Sequence, residues 1–147
     1  MATIKKSTLG VIIGNRDFFP DKLVAEARTE ILDLFKQLNI TPIMLSDADS
    51  KLGGVETFGE AQKCAALFKK HADEIDGILV VLPNFGDEKG IADTIQMAGL
   101  NVPVLVQAFN DELNRSEKVP DGHDYETLFW MVRDGLQALQ SSLSVSR

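Results

Sequence analysis

Short apolar runs rich in β-branched residues alternate along this chain with longer segments whose apolar residues recur every three or four positions. That alternation leaves few folds open. The run Leu9–Ile13 has no polar alternation, as a strand buried on both faces requires. After a polar turn with Pro20, residues Leu23, Val24, Ala27, Ile31, Leu34, Phe35 and Leu38 fall on one stripe of a helix. Pro20 suits the first turn of that helix, where its missing N–H costs nothing. The cycle repeats with a strand at Thr41–Leu45, a turn at Ser46–Ser50 and a flexible break at Gly53-Gly54. Thr57 and Glu60 have the spacing of a capping box, which predicts a helix with the stripe Ala61, Cys64, Ala65, Phe68, Ala72 and Ile75, closed by Asp76-Gly77. A third strand is predicted at Ile78–Leu82, followed by a loop, Asp87 as helix cap, and a helix carrying Ile91, Ile95 and Met97. Val102–Val106 reads as the fourth strand, with Pro103 near its start. A charged connection, Asn110–Asp124, leads to a last helix at about Tyr125–Leu143, where Leu128, Val132, Leu136, Leu139 and Leu143 share a face.

Strands and helices in strict alternation predict a parallel sheet, because parallel neighbours need crossover connections and helices are the usual ones. Right-handed crossovers put helices on both faces. The expectation is therefore one domain over residues 1–147: a three-layer α/β/α sandwich, flavodoxin-like, with a parallel sheet of four strands in the order 2-1-3-4 and four helices. The last strand is then an edge that the segment after it, or a partner, must cover. A net charge of −7, with no clustered Lys/Arg stripe, argues against nucleic acid as a partner. The single cysteine, Cys64, fits a reducing compartment, and no run is apolar for the length of a membrane span. The apolar run near the start is too short for a signal peptide, so the chain reads as soluble and cytoplasmic, with no membrane partner.

In open parallel sheets ligands bind beyond the carboxyl ends of the strands, near the point where the strand order reverses. The turns Gly14–Pro20, Ser46–Ser50, Pro83–Asp87 and Gln107–Asp111 supply that rim. Arg16 follows a strand and precedes a helix, so its guanidinium can hold a carboxylate, a phosphate or sugar hydroxyls; the competing reading is an ion pair with Asp17, Asp47 or Asp87. Phe85, like Phe18 and Phe19, is a large ring in a loop, able to stack on a sugar face or fill a partner's pocket, or else to staple a helix start. Asn84 stands beside Phe85 on the same turn. Asp17, Asp47, Asp49 and Asp87 read as caps of the helices that follow each turn rather than metal ligands. Neither phosphate-cradling glycine pattern is present. His71 and His123 lack ligand partners at metal spacing, Cys64 reads as core, and Trp130 as an oligomer contact or a partly buried side chain. No catalytic residue and no metal site is assigned.

These residues carry a resemblance. Val11–Pro20, Val24–Arg28, Lys51–Thr57, Cys64–His71, Asp73–Asp87 and Val102–Phe109 are similar to the N-terminal domain of the L-fucose isomerase-like sugar isomerases, the group that includes the L-arabinose isomerases. The likeness covers about residues 9–109, and 110–147 diverges into a loop and a helix. The resemblance implies aldose–ketose isomerisation with a divalent metal, usually Mn²⁺, held by domains with no counterpart in this chain, so the chain alone is expected to be inactive. It implies an oligomer in which this domain reaches over a neighbouring subunit's site, with Arg16 contacting sugar and Phe85 a second contact. Two other readings stand beside it: a free-standing flavodoxin-like module that binds a sugar or an anion, and an engineered or recombined α/β fold.

Overall fold

The computed structural model describes residues 6–16, 19–84 and 86–108. It is a mixed α/β structure in which β1 (Ser7–Gly14), β2 (Ile40–Ile43), β3 (Gly54–Val55), β4 (Gly77–Leu82) and β5 (Val104–Ala108) form one parallel sheet of five strands. Among the described residues there are three α-helices, α1 (Asp21–Leu38), α2 (Phe58–Lys70) and α3 (Glu88–Ala98). The main path runs β2-β1-β4-β5, which is the order inferred from alternation once β3 is inserted. The expected count of four strands is corrected by β3, a two-residue strand that pairs Gly54 and Val55 with Ile13 and Gly14 of β1. Two residues carry no periodicity, which is why Gly53-Gly54 reads as a flexible break in the sequence. The fourth expected helix, together with Asn110–Asp124, His123 and Trp130, lies outside the described residues.

Alternate side chains of the central strands enter two separate cores, the period-2 consequence of a sheet covered on both faces. Ile12, Ile78, Val80 and Leu82 pack with α2 and α3 through Ala61, Cys64, Phe68 and Ile91. Val11, Ile13, Leu79 and Val81 pack with α1 through Val24, Ala27, Ile31 and Phe35. β2 tolerates Pro42 because, among the described residues, it ends the sheet and no neighbour beyond it requires the missing N–H. β5 begins at Val104 rather than Val102, since Pro103 has no N–H for the ladder; its carbonyl accepts from the Ile78 N–H instead, at 2.9 Å.

Local signals set the helix ends. Pro20 is the residue before α1, not within its first turn, and Asn39 ends the helix in the left-handed conformation. Thr57 caps α2: its hydroxyl accepts from the Glu60 N–H at 3.2 Å, while the Glu60 carboxylate accepts from Thr57 and Glu56 at 3.0 and 2.7 Å. α2 stops at Lys70, earlier than the stripe to Ile75 suggests, with a turn over 71–74 that still delivers Ile75 to the core. His71 sits at that end, with Nδ1 3.3 Å from the Glu74 carboxylate. Asp49 behaves as a turn cap, accepting from the Ser46 N–H and hydroxyl, and these bonds hold its carboxyl below the usual range.

Cys64 is buried in the α2 core, and burial pushes its thiol from an ordinary 9.0 up to about 12. The thiolate is the reactive species, so the folded protein is expected to resist Ellman's reagent at mildly alkaline pH and to react once unfolded. A raised folded-state value means that stability is fully present below about pH 9 and declines as pH rises towards 12. Urea midpoints measured across that window are expected to fall, and to fall less in Cys64→Ala.

Candidate functional site at the carboxyl ends of the central strands

The strand order reverses between β1 and β4, and the loops leaving these strands form the candidate site. They meet backbone to backbone. A Cβ on Gly14 would lie 3.3 Å from the Gly86 Cα and 2.8 Å from the Ile91 side chain. Gly86 has φ +63°, a conformation that favours glycine. The close approach brings Asn15, at the end of β1, against Asn84, at the end of β4.

Asn15 is only 2% exposed, although its side chain is fully polar. Burial of that kind needs hydrogen-bond partners, and Asn15 has them on three sides. Its N–H donates to the Val55 carbonyl at 3.2 Å, its Oδ1 accepts from the Asn84 amide at 2.8 Å, and its Nδ2 donates to the Glu56 carboxylate. Asn84 in turn accepts from the Gly86 N–H through Oδ1 at 2.8 Å, the local turn for which asparagine is suited. One polar chain thus ties the ends of β1, β3 and β4. By valence the Asn84 amide keeps a second N–H beyond the one given to Asn15.

Arg16 is the next residue along this rim. Its guanidinium lies 3.6 Å from the carboxylate of Glu88, the first residue of α3, and its carbonyl accepts from the Phe19 N–H at 2.9 Å. The Arg16 and Glu88 side chains are 40% and 42% exposed, and pairs of that exposure contribute under about 1 kcal/mol. A ligand offering an anion or several hydroxyls can therefore compete with Glu88 for the guanidinium.

Of the residues singled out from sequence, Arg16 and Asn84 stand on the same rim, bridged by Asn15. Phe85, Asp17 and Phe18 lie outside the described residues. Among the described residues Arg16 pairs with Glu88, an acid the sequence reading did not name, while Asp17 lies outside them. Sequence reasoning missed Glu56, because nothing local announces that β3 will carry it to the end of β1. It also named the turn holding Asn15 without assigning that residue a role; a polar residue directly after a fully apolar strand was the available signal.

The site offers a guanidinium, amides and carboxylates, the groups that recognise hydroxyls. Among the described residues no three His, Cys, Asp or Glu side chains gather as metal ligands, and Glu56 and Glu88 are engaged by Asn15 and Arg16. These residues do not fit Mn²⁺, and no chemical step is derived through it. Among the described residues no helix is long and apolar enough to cross a membrane.

Neither the comparison with curated proteins nor that with solved structures gives a match. The family model described as the fucose/sulfoquinovose isomerase N-terminal domain matches residues 10–124, a span that takes in every described strand and helix except the first residues of β1. With the parallel sheet and the rim of its central strands in hand, that match shows that the chain belongs to the fucose/sulfoquinovose isomerase N-terminal-domain family.

Proposed function

We propose that this chain is a flavodoxin-like, three-layer isomerase N-terminal domain that contacts sugar through the rim at β1 and β4 and takes part in subunit association, without isomerising sugar by itself. Arg16 is the anchor for sugar oxygens, with Asn84 and Phe85 as further contacts to the sugar. The observation that carries this reading is the buried Asn15, bonded to both Asn84 and Glu56, which fixes two loops of the rim in one geometry. Preorganised polar groups of this kind bind hydroxyls at a low ordering cost. The divalent metal implied by the resemblance is assigned to the family's other domains and not to this one. A cytoplasmic site of action in carbohydrate metabolism is part of the same proposal.

Thermal unfolding in a panel of aldoses and sugar phosphates tests it. A sugar at 100 times its Kd is expected to stabilise the fold by about 2.7 kcal/mol, several degrees in Tm. Arg16→Ala is expected to leave the unliganded stability within about 1 kcal/mol of wild type, since Arg16 and Glu88 are both well exposed, and to abolish the shift. With Mn²⁺ and L-fucose or L-arabinose the chain alone is expected to give no turnover. A shift that persists in Arg16→Ala, or turnover by the chain alone, contradicts the proposal. A shift seen only with anions favours the second reading, a free-standing anion-binding module built on the same guanidinium.

A further inference from the structure

The start of α2 carries a large ring that the fold leaves uncovered. Phe58, the first residue of that helix, is 54% exposed. It stands where the rim is built. Two residues before it is Glu56, bonded to Asn15, and Thr57 between them caps the helix. The first turn of α3 joins Phe58 to the rest of the site. Glu88 lies 3.6 Å from Arg16, Lys89 lies 5.8 Å from the centre of the Phe58 ring, and a Cβ on Gly90 would lie 3.3 Å from the side chain of Val55 in β3. Lys89 leaves the ring available. Its ammonium is held by Asp93 at 2.9 Å, and a cation at 5.8 Å sits at the outer limit of attraction to an aromatic face.

A protein interface takes a patch of several apolar side chains. The other exposed large apolar residues described, Leu34, Leu38 and Leu105, line a groove beside α1 instead, and the ring has Lys89 and its partner Asp93 beside it. Such a ring suits a small ligand that is apolar on one face and polar around its edge. A pyranose has that form, because C–H bonds gather on a face of the ring while hydroxyls project from its edge. We propose, resting on the reading of this rim as a sugar site, that Phe58 is the apolar wall of the site. Its ring stacks on the C–H face of a pyranose whose hydroxyls meet Arg16. The pairing of an aromatic face with polar groups is what lets one site hold both sides of such a ligand.

Titration of the ¹⁵N-labelled chain with L-fucose, followed by amide shifts, tests this in wild type, Phe58→Leu and Phe58→Tyr. Leucine keeps apolar bulk without a ring face, and is expected to raise the Kd for L-fucose about fivefold. Tyrosine keeps the ring and is expected to bind within about twofold of wild type. Inorganic phosphate, which has no C–H face, is expected to respond equally to wild type and Phe58→Leu. The urea midpoints of both variants should stay close to wild type, since the ring is mostly exposed. L-fucose binding equally well to Phe58→Leu and wild type overturns the inference and leaves the sugar reading standing. So does an equal loss in Phe58→Tyr, or a loss for phosphate as well, because neither follows from stacking. A normal Kd in Phe58→Leu with a shifted monomer–dimer equilibrium in sedimentation makes the ring a subunit contact and overturns it too. If wild type binds no L-fucose, the sugar reading fails and the inference with it.

Discussion

Replacing Phe68 with alanine is expected to lower the unfolding free energy by about 3–5 kcal/mol, the usual cost of deleting a fully buried aromatic side chain. Phe68 is 0% exposed and projects from α2 onto the middle of β1. The contact is so close that a Cβ added to Gly10 would lie 2.9 Å from the tip of the Phe68 ring. The glycine on β1 and the ring on α2 fit as a pair, and alanine leaves a cavity bounded by strands that cannot easily collapse. Urea unfolding followed by circular dichroism checks this: the midpoint should fall while the slope stays constant. A loss below about 1 kcal/mol would mean that α2 does not seat on β1 as described.

Asn15→Leu is expected to cost about 1–3 kcal/mol, although leucine is close in size and more apolar. The substitution takes a hydrogen bond from two groups at once, the Asn84 amide and the Glu56 carboxylate. Faster amide exchange at 14–16 and 84–87 should accompany the loss, because the chain of bonds that ties those loops is cut at its centre. Asn15→Asp provides a control with a different signature. It sets two carboxylates against each other at Glu56, so one of them takes a raised pKa and is held neutral in the folded state. Stability of that variant is therefore expected to recover as pH falls from neutral into the carboxylate range, and to recover more than that of Asn15→Leu, which sets no second charge beside Glu56. Urea midpoints over that range separate the two. Equal recovery in both variants, or recovery in neither, would mean that Glu56 is not the partner of residue 15.

The elements legible in the sequence are those whose signal is local. Val11–Ile13 and Ile78–Leu82 are apolar at successive positions because both faces of the sheet are covered, and no other soluble strand needs that pattern. Thr57 and Glu60 announce the start of α2 because a capping box is a contact over three residues. Arg16 was visible as a cation between an apolar strand and a helix, and it stands on the rim as expected. What escaped depends on contacts far apart in the chain. β3 is two residues long and exists because the 51–53 turn delivers Gly54 beside Ile13. The bond between Asn15 and Glu56 spans 41 positions, and that between Asn84 and Asn15 spans 69. Glu88 became a partner of Arg16 because α3 begins at the rim, a matter of helix placement that no spacing within either loop encodes.

Arg16→Ala should remove sugar binding and leave the unliganded stability within about 1 kcal/mol of wild type. The most direct measurement of the central claim is a titration of the ¹⁵N-labelled chain with L-fucose, followed by amide chemical shifts. The account predicts shifts confined to residues 14–16, 56–58 and 84–89 in the wild type and none in Arg16→Ala. Shifts centred on α1 and β5 instead, or an unchanged wild-type spectrum at every sugar concentration, would contradict it.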